Sequence, residues 1–401
     1  MKILLFHPWV KSKGGAEKLV LEYVKRSKHK INIITWFYNP EKTFSGYKKL
    51  KVISIFPEWF DSITRAFLLR GAAYGLIANI IKVLKEEYVD NYDLVLISTG
   101  GIAELITLRT KTKTPIVLYC HSPLRAAYPE DVEFNMRNRY RKLEFMKLYY
   151  LFGIKIYNIL EHKAWKKVDL AIFNSKLSRS RALKKGLISI KKTKVIYPGV
   201  NIEIEPGEYQ DYFLCVGRFG QAKRQDSVLL AWKLFQRRYP EYKLILAGGL
   251  ENKKYYKVLQ MMIRKLNLKN VILMTDLPYT MIKNLHSNAL CEIQIPWMED
   301  FGIVPLEAIA AGKPIILADS MGVLEILPEI PSVIKIEENI DRVEIARRLY
   351  NAMMDFVKNQ DYYIEEARKN RDVIDKLDLS WDRFAREMDR TLEDVAKESS
   401  L

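Results

Sequence analysis

Cysteine and histidine are scarce in this chain, with three of the former and five of the latter among 401 residues. Cys120, Cys215 and Cys291 each end or sit within an apolar run, and none has metal-type spacing, so reduced core thiols of a cytoplasmic protein are expected. No Asp-x-Asp pair occurs and the histidines form no ligand cluster, which disfavours a divalent-cation mechanism. Long hydrophobic runs are also missing. The longest, Gly71 to Leu84, is interrupted by Asn79 and Lys82, is too short to span a bilayer, and reads as a buried or surface-lying helix. Any membrane contact is therefore expected to be peripheral. No leader is expected either, because Met1 to Phe6 already reads as a first buried strand. Repeats, low-complexity tracts and recognised nucleic-acid modules are lacking.

What is present is a soluble globular composition, 49% apolar and 28% charged, long enough for about two domains with separate cores. Charge is uneven. Residues 1–200 carry 37 Lys and Arg against 16 Asp and Glu, and residues 201–401 carry 28 against 32, so the first half holds +21 and the second −4 of the net +17. A basic half implies an anionic partner. Its richest segment, Phe134 to Lys167, has nine basic and two acidic residues interleaved with aromatics, and Lys176 to Lys194 has eight basic residues and no acid. Two readings stand side by side: an amphipathic helical hairpin with one solvated face, or a face for an anionic membrane or an acceptor.

Strand-like and helix-like runs alternate, which predicts α/β architecture with parallel sheets covered on both faces. The first half offers strands at Lys2–Phe6, Asn32–Trp36, Leu94–Ser98, Ile116–Cys120, Leu170–Asn174 and Lys194–Tyr197. The second offers Tyr212–Gly217, Lys243–Ala247, Val271–Met274, Ala289–Ile295, Pro314–Ala318 and Val333–Ile336. Pro198-Gly199-Val200 through Pro206-Gly207 has linker chemistry between them.

The most informative stretch runs from Pro296 to Ala308. Pro296 stops the strand before it, Pro305 suits the first turn of a helix running to Gly312, Glu299 stays in the loop, and Glu307 falls in the helix's first turn. Amides around Gly302, Ile303 and Val304 would face an anion or an oxygen-rich ligand, one carboxylate could grip a ribose, and the other a sugar hydroxyl. Taken alone, the same glutamates also read as ordinary complements to a helix dipole.

The full string Glu299-Asp300-Phe301-Gly302-Ile303-Val304-Pro305-Leu306-Glu307-Ala308 resembles the E-x7-E signature of the retaining glycosyltransferases of family 4. The resemblance implies that Glu299 holds donor-sugar hydroxyls, that Glu307 binds the ribose, and that Asp300 to Val304 meet the donor. Val216-Gly217-Arg218 with Lys223-Arg224-Gln225-Asp226 resembles the family block whose arginine and lysine, here Arg218 and Lys223, bind the pyrophosphate. Gly14-Gly15-Ala16-Glu17 resembles the family's glycine loop, and His121 in Cys120-His121-Ser122-Pro123 matches the histidine near the transferred sugar. Ser175 and Arg179 resemble a segment at the inner edge of the first domain, where an acceptor or phosphate contact and a simple helix cap by Ser175 are both open. Gly248 and Leu277 fit a nucleotide crevice.

The family's fold is GT-B, two Rossmann-like domains facing across a cleft. Here that implies an acceptor- or membrane-facing domain at 1–200, a donor domain at 206–375, and a last segment, 376–401, that crosses back. The implied activity is transfer of a hexose, with retention and without metal or other cofactor, from a nucleotide sugar to a glycan or lipid-linked acceptor. The strings around His121, Val195, Lys223 and Glu299 look like the branch that uses GDP-mannose. A UDP- or ADP-hexose remains open, as do a basic nucleic-acid-binding protein and a catalytically silent GT-B partner.

Overall fold

The computed structural model describes residues 1–57, 59, 86–138, 144–200, 202–250 and 252–399. The apolar run Gly71–Leu84 lies outside the described residues, as do residues 139–143 of the basic aromatic segment. The chain divides into two compact units, Met1–Val200 together with Leu379–Leu401, and Asn201–Asp378.

Among the described residues, the strands of the first unit are β1 (Lys2–Phe6), β2 (Trp9–Val10), β3 (Lys30–Thr35), β4 (Phe37–Tyr38), β5 (Val52–Ser54), β6 (Leu94–Thr99), β7 (Ile116–Cys120), β8 (Leu170–Phe173) and β9 (Thr193–Val195). Seven of them form a sheet in the order β5-β3-β1-β6-β7-β8-β9, and its pairings are parallel; β2 and β4 make a separate parallel pair. β1 shows why its sequence is apolar without alternation. Leu4 and Phe6 enter one hydrophobic cluster, and Ile3 and Leu5 enter another on the opposite face. A strand covered on both sides gains from an apolar residue at every position.

Part of that cover comes from the chain's last helix, Trp381–Glu398. Ser380 caps it by accepting from the Arg383 amide. Its apolar stripe, Trp381, Phe384, Ala385, Met388, Leu392 and Val395, joins the cluster of Ile3, Leu5, Leu19, Val20 and Tyr23. Asp389, nearly buried, accepts from the Tyr23 hydroxyl at 2.9 Å and the Lys28 amide at 3.0 Å, which satisfies a carboxylate that burial would otherwise penalise. Gly199 has no room for a side chain, because an added Cβ would stand 2.6 Å from the Trp381 ring.

The second unit contains β10 (Tyr212–Val216), β11 (Lys243–Gly248), β12 (Val271–Thr275), β13 (Cys291–Gln294), β14 (Ile315–Ala318) and β15 (Val333–Ile336), a parallel sheet in the order β12-β11-β10-β13-β14-β15. Phe213, Cys215, Leu244, Leu246 and Ile293 face the helices Gln225–Phe235 and Arg342–Lys358, while Tyr212, Leu214, Ile245 and Ala247 face the other way. All twelve strands read from the sequence are found. The strand expected at Ala289–Ile295 is shorter, Cys291–Gln294, and the helix expected to reach Gly312 ends at Ala310 with Gly312 at φ 65°. β5 and the β2–β4 pair were not anticipated, being two or three residues long and too short to show a period. Cys120, Cys215 and Cys291 are all buried, and none of them is in a disulfide.

Candidate active site

Parallel strands put all their C-terminal ends on one edge, and the candidate residues of each unit lie on the loops and helix starts that follow those strands. In the second unit β10 leads into Gly217, Arg218 and Lys223, β11 ends at Gly248, β12 leads to Leu277, and β13 leads to Glu299–Val304 and Glu307. These strands are neighbours in the order β12-β11-β10-β13. The Trp297 amide donates to the Ala222 carbonyl at 2.7 Å and ties the loop after β13 to the loop after β10. Across that tie Lys223 Nζ stands 2.8 Å from Glu299 Oε2, both side chains about one quarter exposed. Arg218 is exposed and Glu307 is nearly buried.

Two glycines meet steric needs here. At Gly248 an added Cβ would lie 2.1 Å from the Gly217 carbonyl oxygen, so the loops after β10 and β11 approach with backbone against backbone. Gly302 adopts φ 84°, and its Cβ would meet Met321 Cε at 2.6 Å and Glu299 Cγ at 3.1 Å. The Gly322 amide donates to Glu299 and the Val323 amide to Phe301, so the glutamate-bearing loop is held by the segment after β14. The helix Val304–Ala310 has Ile303 as its N-cap and Pro305 in its first turn, with Glu307 also in that turn.

Arg224 and Asp226, next to Lys223, have structural work. Arg224 is buried, its guanidinium 4.8 Å from the Trp297 ring centroid and bonded to Glu338 and the Asn339 carbonyl. Asp226 accepts from Tyr255 at 2.9 Å and Arg342 at 2.8 Å. Asp276 has φ 53° and its amide donates to Gly248, which shapes the turn carrying half-buried Leu277.

In the first unit Gly14 and Gly15 open the helix Gly15–Arg26, His121 follows β7, and Ser175 and Arg179 follow β8. The Ser175 hydroxyl is buried and accepts from the Ser178 amide at 3.0 Å, which is the capping role of the two considered for it. Arg179 is half-buried. His121 Nε2 lies 3.0 Å from Ser98 Oγ, and the same oxygen lies 3.0 Å from His7 Nδ1. Burial pushes His121 down to about 4 and, together with the charge of His121, pushes His7 down to about 3, so both rings are neutral near pH 7.

Residues 13–204 match the family described as Glycosyltransferase Family 4, and residues 202–370 match Glycosyl transferases group 1. The chain belongs to glycosyltransferase family 4. Among the relatives of this glycosyltransferase, the alpha-1,3/1,6-mannosyltransferase ALG2 of Eremothecium gossypii is 24% identical, with 96% of this chain and 81% of that protein aligned. Human ALG2 is 25% identical over 80% of each chain. Among solved structures, the Anabaena protein HepE in complex with UDP-glucose superposes with a TM-score of 0.70 at 17% identity, covering 98% of this chain and 100% of that one. Sucrose-phosphate synthase from Thermosynechococcus elongatus gives 0.68 at 16% identity, with 98% of each chain covered. The fold of the glycosyltransferase is GT-B.

The structure adds residues that motif reading passed over. His7 and Ser98 join His121, and His286, Glu292 and Tyr279 surround Glu307. One signal for the second group was available, since Glu292 sits in a fully buried strand and a charge there demands a partner.

Proposed function

We propose that this enzyme transfers a hexose, with retention of configuration and without a metal ion, from a nucleotide sugar to a glycan or lipid-linked acceptor, the donor being GDP-mannose. The observation that carries the reading is the convergence of two cations and two carboxylates, Arg218, Lys223, Glu299 and Glu307, on adjoining loops of the second sheet. Breaking the anomeric bond develops negative charge on the departing diphosphate and positive charge on the sugar ring. Arg218 and Lys223 meet the first, each preorganised donor of this kind being worth about 2.7–4 kcal/mol. Glu299 holds sugar hydroxyls beside the second, Glu307 holds the ribose, and the backbone from Asp300 to Val304, with Gly248 and Leu277, lines the nucleotide. Neutral His121 can give or accept a hydrogen bond at a sugar hydroxyl without adding charge. Mannose is supported by the two ALG2 relatives, which are named for mannosyl transfer and align over most of this chain.

We further propose that the enzyme works as a peripheral protein on the cytoplasmic face of a membrane. Among the described residues no helix is long and apolar enough to cross a bilayer. The helix Glu144–Trp165 exposes Leu148, Phe152, Ile156 and Ile159 on one face, with Lys155, Lys163 and Lys166 beside them. The only described carboxylate between Leu148 and Lys166, Glu161, is buried against Lys185. An apolar stripe rimmed by lysine and free of exposed acid suits an anionic lipid interface. Residues 148–163 therefore support the membrane-facing reading of Phe134–Lys167 over a purely solvated face.

A thermal-shift panel of GDP, UDP, ADP and their hexose conjugates in EDTA tests the donor, and proton NMR of the product tests retention. Stabilisation by GDP-mannose above the others supports the reading; a UDP- or ADP-sugar preference replaces mannose, and no shift overturns it. Flotation with vesicles containing anionic lipid tests docking, and unchanged binding of Leu148→Ser/Phe152→Ser/Ile156→Ser refutes that surface.

A further inference from the structure

Behind Glu307 lies a set of buried polar groups that the donor chemistry above does not use. His286, on the helix Tyr279–Asn288, and Glu292, in β13, are both fully buried. His286 Nδ1 stands 2.7 Å from Glu292 Oε1, and His286 Nε2 stands 3.6 Å from Glu307 Oε2. The other Glu307 oxygen accepts from the Tyr279 hydroxyl at 3.4 Å. Nε2 has no partner at hydrogen-bond distance among the described residues, so the Glu307 carboxylate is the group it faces. Closing that gap by about half an ångström makes a charge-assisted hydrogen bond.

The ring is therefore clamped between two carboxylates from two other elements. Burial alone would push its proton off, but Glu292, by charge and hydrogen bond, and then Glu307 outweigh it, and the net direction for His286 is up. Burial pushes Glu292 up as well, opposed by His286 and reinforced by Glu307, and Tyr212, Cys215, Cys291 and Lys313 also interact with its charge.

We propose that His286 is a positioning residue for the donor: bridged between Glu292 and Glu307, it keeps the Glu307 carboxylate turned toward the ribose. The proposal rests on the reading of Glu307 as the ribose ligand. Glu292, otherwise an unexplained acid in a buried strand, then fixes the imidazole from behind, and the Tyr279 hydroxyl braces the carboxylate from the side. Ribose recognition on the loop edge is thereby set by a residue the nucleotide never touches.

The test compares GDP with 2′,3′-dideoxy-GDP, and UDP with its dideoxy counterpart, by calorimetric titration of the full chain. The wild type should favour the ribose form by about 10- to 100-fold, the range expected of hydrogen bonds to a charged group. Glu307→Gln should abolish most of that preference. His286→Leu should lose a similar factor on the ribose nucleotide and nothing on the dideoxy form, and Glu292→Gln should do the same in milder degree. His286→Gln, which keeps one N–H, should recover part of it. A purely structural role would weaken both nucleotides alike. The wild type alone supplies a second readout that needs no variant to fold. Because the imidazolium is the useful form, the ribose preference should decline as pH rises above the ordinary histidine range, and a preference that is flat between about pH 6 and 10 overturns the proposal. Loss of preference in Glu307→Gln with none in His286→Leu overturns His286 alone. Binding of neither pair, or an unchanged Glu307→Gln, overturns the donor reading and this proposal with it.

Discussion

Lys223 offers a perturbation in which stability and turnover should part company. Its ammonium is 2.8 Å from Glu299 Oε2, and each side chain keeps about a quarter of its surface in water. At that exposure the pair is screened, and its rupture should cost about 0–1 kcal/mol. For a unit of this size that corresponds to a fall in melting temperature of about 2–4 °C at most. If the lysine carries developing charge on the leaving diphosphate, however, Lys223→Met removes a preorganised donor and should lower kcat by about 100- to 1,000-fold. The assay pairs differential scanning fluorimetry with steady-state transfer from the donor identified by thermal shift. Glu299→Gln should be similarly mild in stability and severe in turnover, and the double variant should lose little further stability. A Lys223→Met enzyme within threefold of wild type in kcat would refute the reasoning. So would a fall of more than about 8 °C in melting temperature, which would make the lysine a structural strut.

Phe384→Ala should destabilise the first unit by about 3–5 kcal/mol in urea unfolding, because its fully buried ring packs edge-on against Tyr23, Tyr119 and Trp381; a loss below 1 kcal/mol would mean the last helix contributes little there. Gly302→Ala should lose most donor binding while melting within a few degrees of wild type, since the new methyl must displace Met321 and crowd Glu299 at a positive φ, and calorimetry with the preferred nucleotide sugar reads it directly. His7 is held neutral by burial, so its contribution to stability is complete above about pH 6.5 and is lost as pH falls toward about 3. Glu104, pushed up to about 7 by burial and then by Glu161, acts in the opposite sense, so the informative quantity is the difference between wild type and His7→Asn. That difference in unfolding free energy should shrink by about 2 kcal/mol between pH 6.5 and 4.5, and an unchanged difference would show that burial does not hold the ring neutral.

Much of the architecture is legible in the sequence. Central strands such as β1, β6 and β7 are apolar at consecutive positions because both their faces are covered, and the bounds read for β1, β7 and β15 match to the residue. Elements went unread where the chain signal is intrinsically weak. β5 is a three-residue edge strand with two exposed positions, and the β2–β4 pair is only two residues long on each side. In the candidate site, Arg218, Lys223, Glu299 and Glu307 are marked by the resemblance of their strings to the family's motifs, and the sheet order makes the strands that lead to them, β10 and β13, neighbours.

The division between chain and fold follows from what each can encode. Local composition settles which segments bury both faces, where Pro296 and Gly312 stop an element, and which residue types the loops carry, because those depend on neighbours within a few positions. The partners of Glu307 are of another kind: His286 precedes it by one helix and Glu292 by one strand, and nothing in their spacing implies that an imidazole edge faces two carboxylates. The same holds for His7, just after β1, Ser98, in β6, and His121, just after β7, which the order β1-β6-β7 brings together. Such contacts are products of strand order and helix placement, so tertiary structure alone decides which buried groups hold one another and which charge they keep.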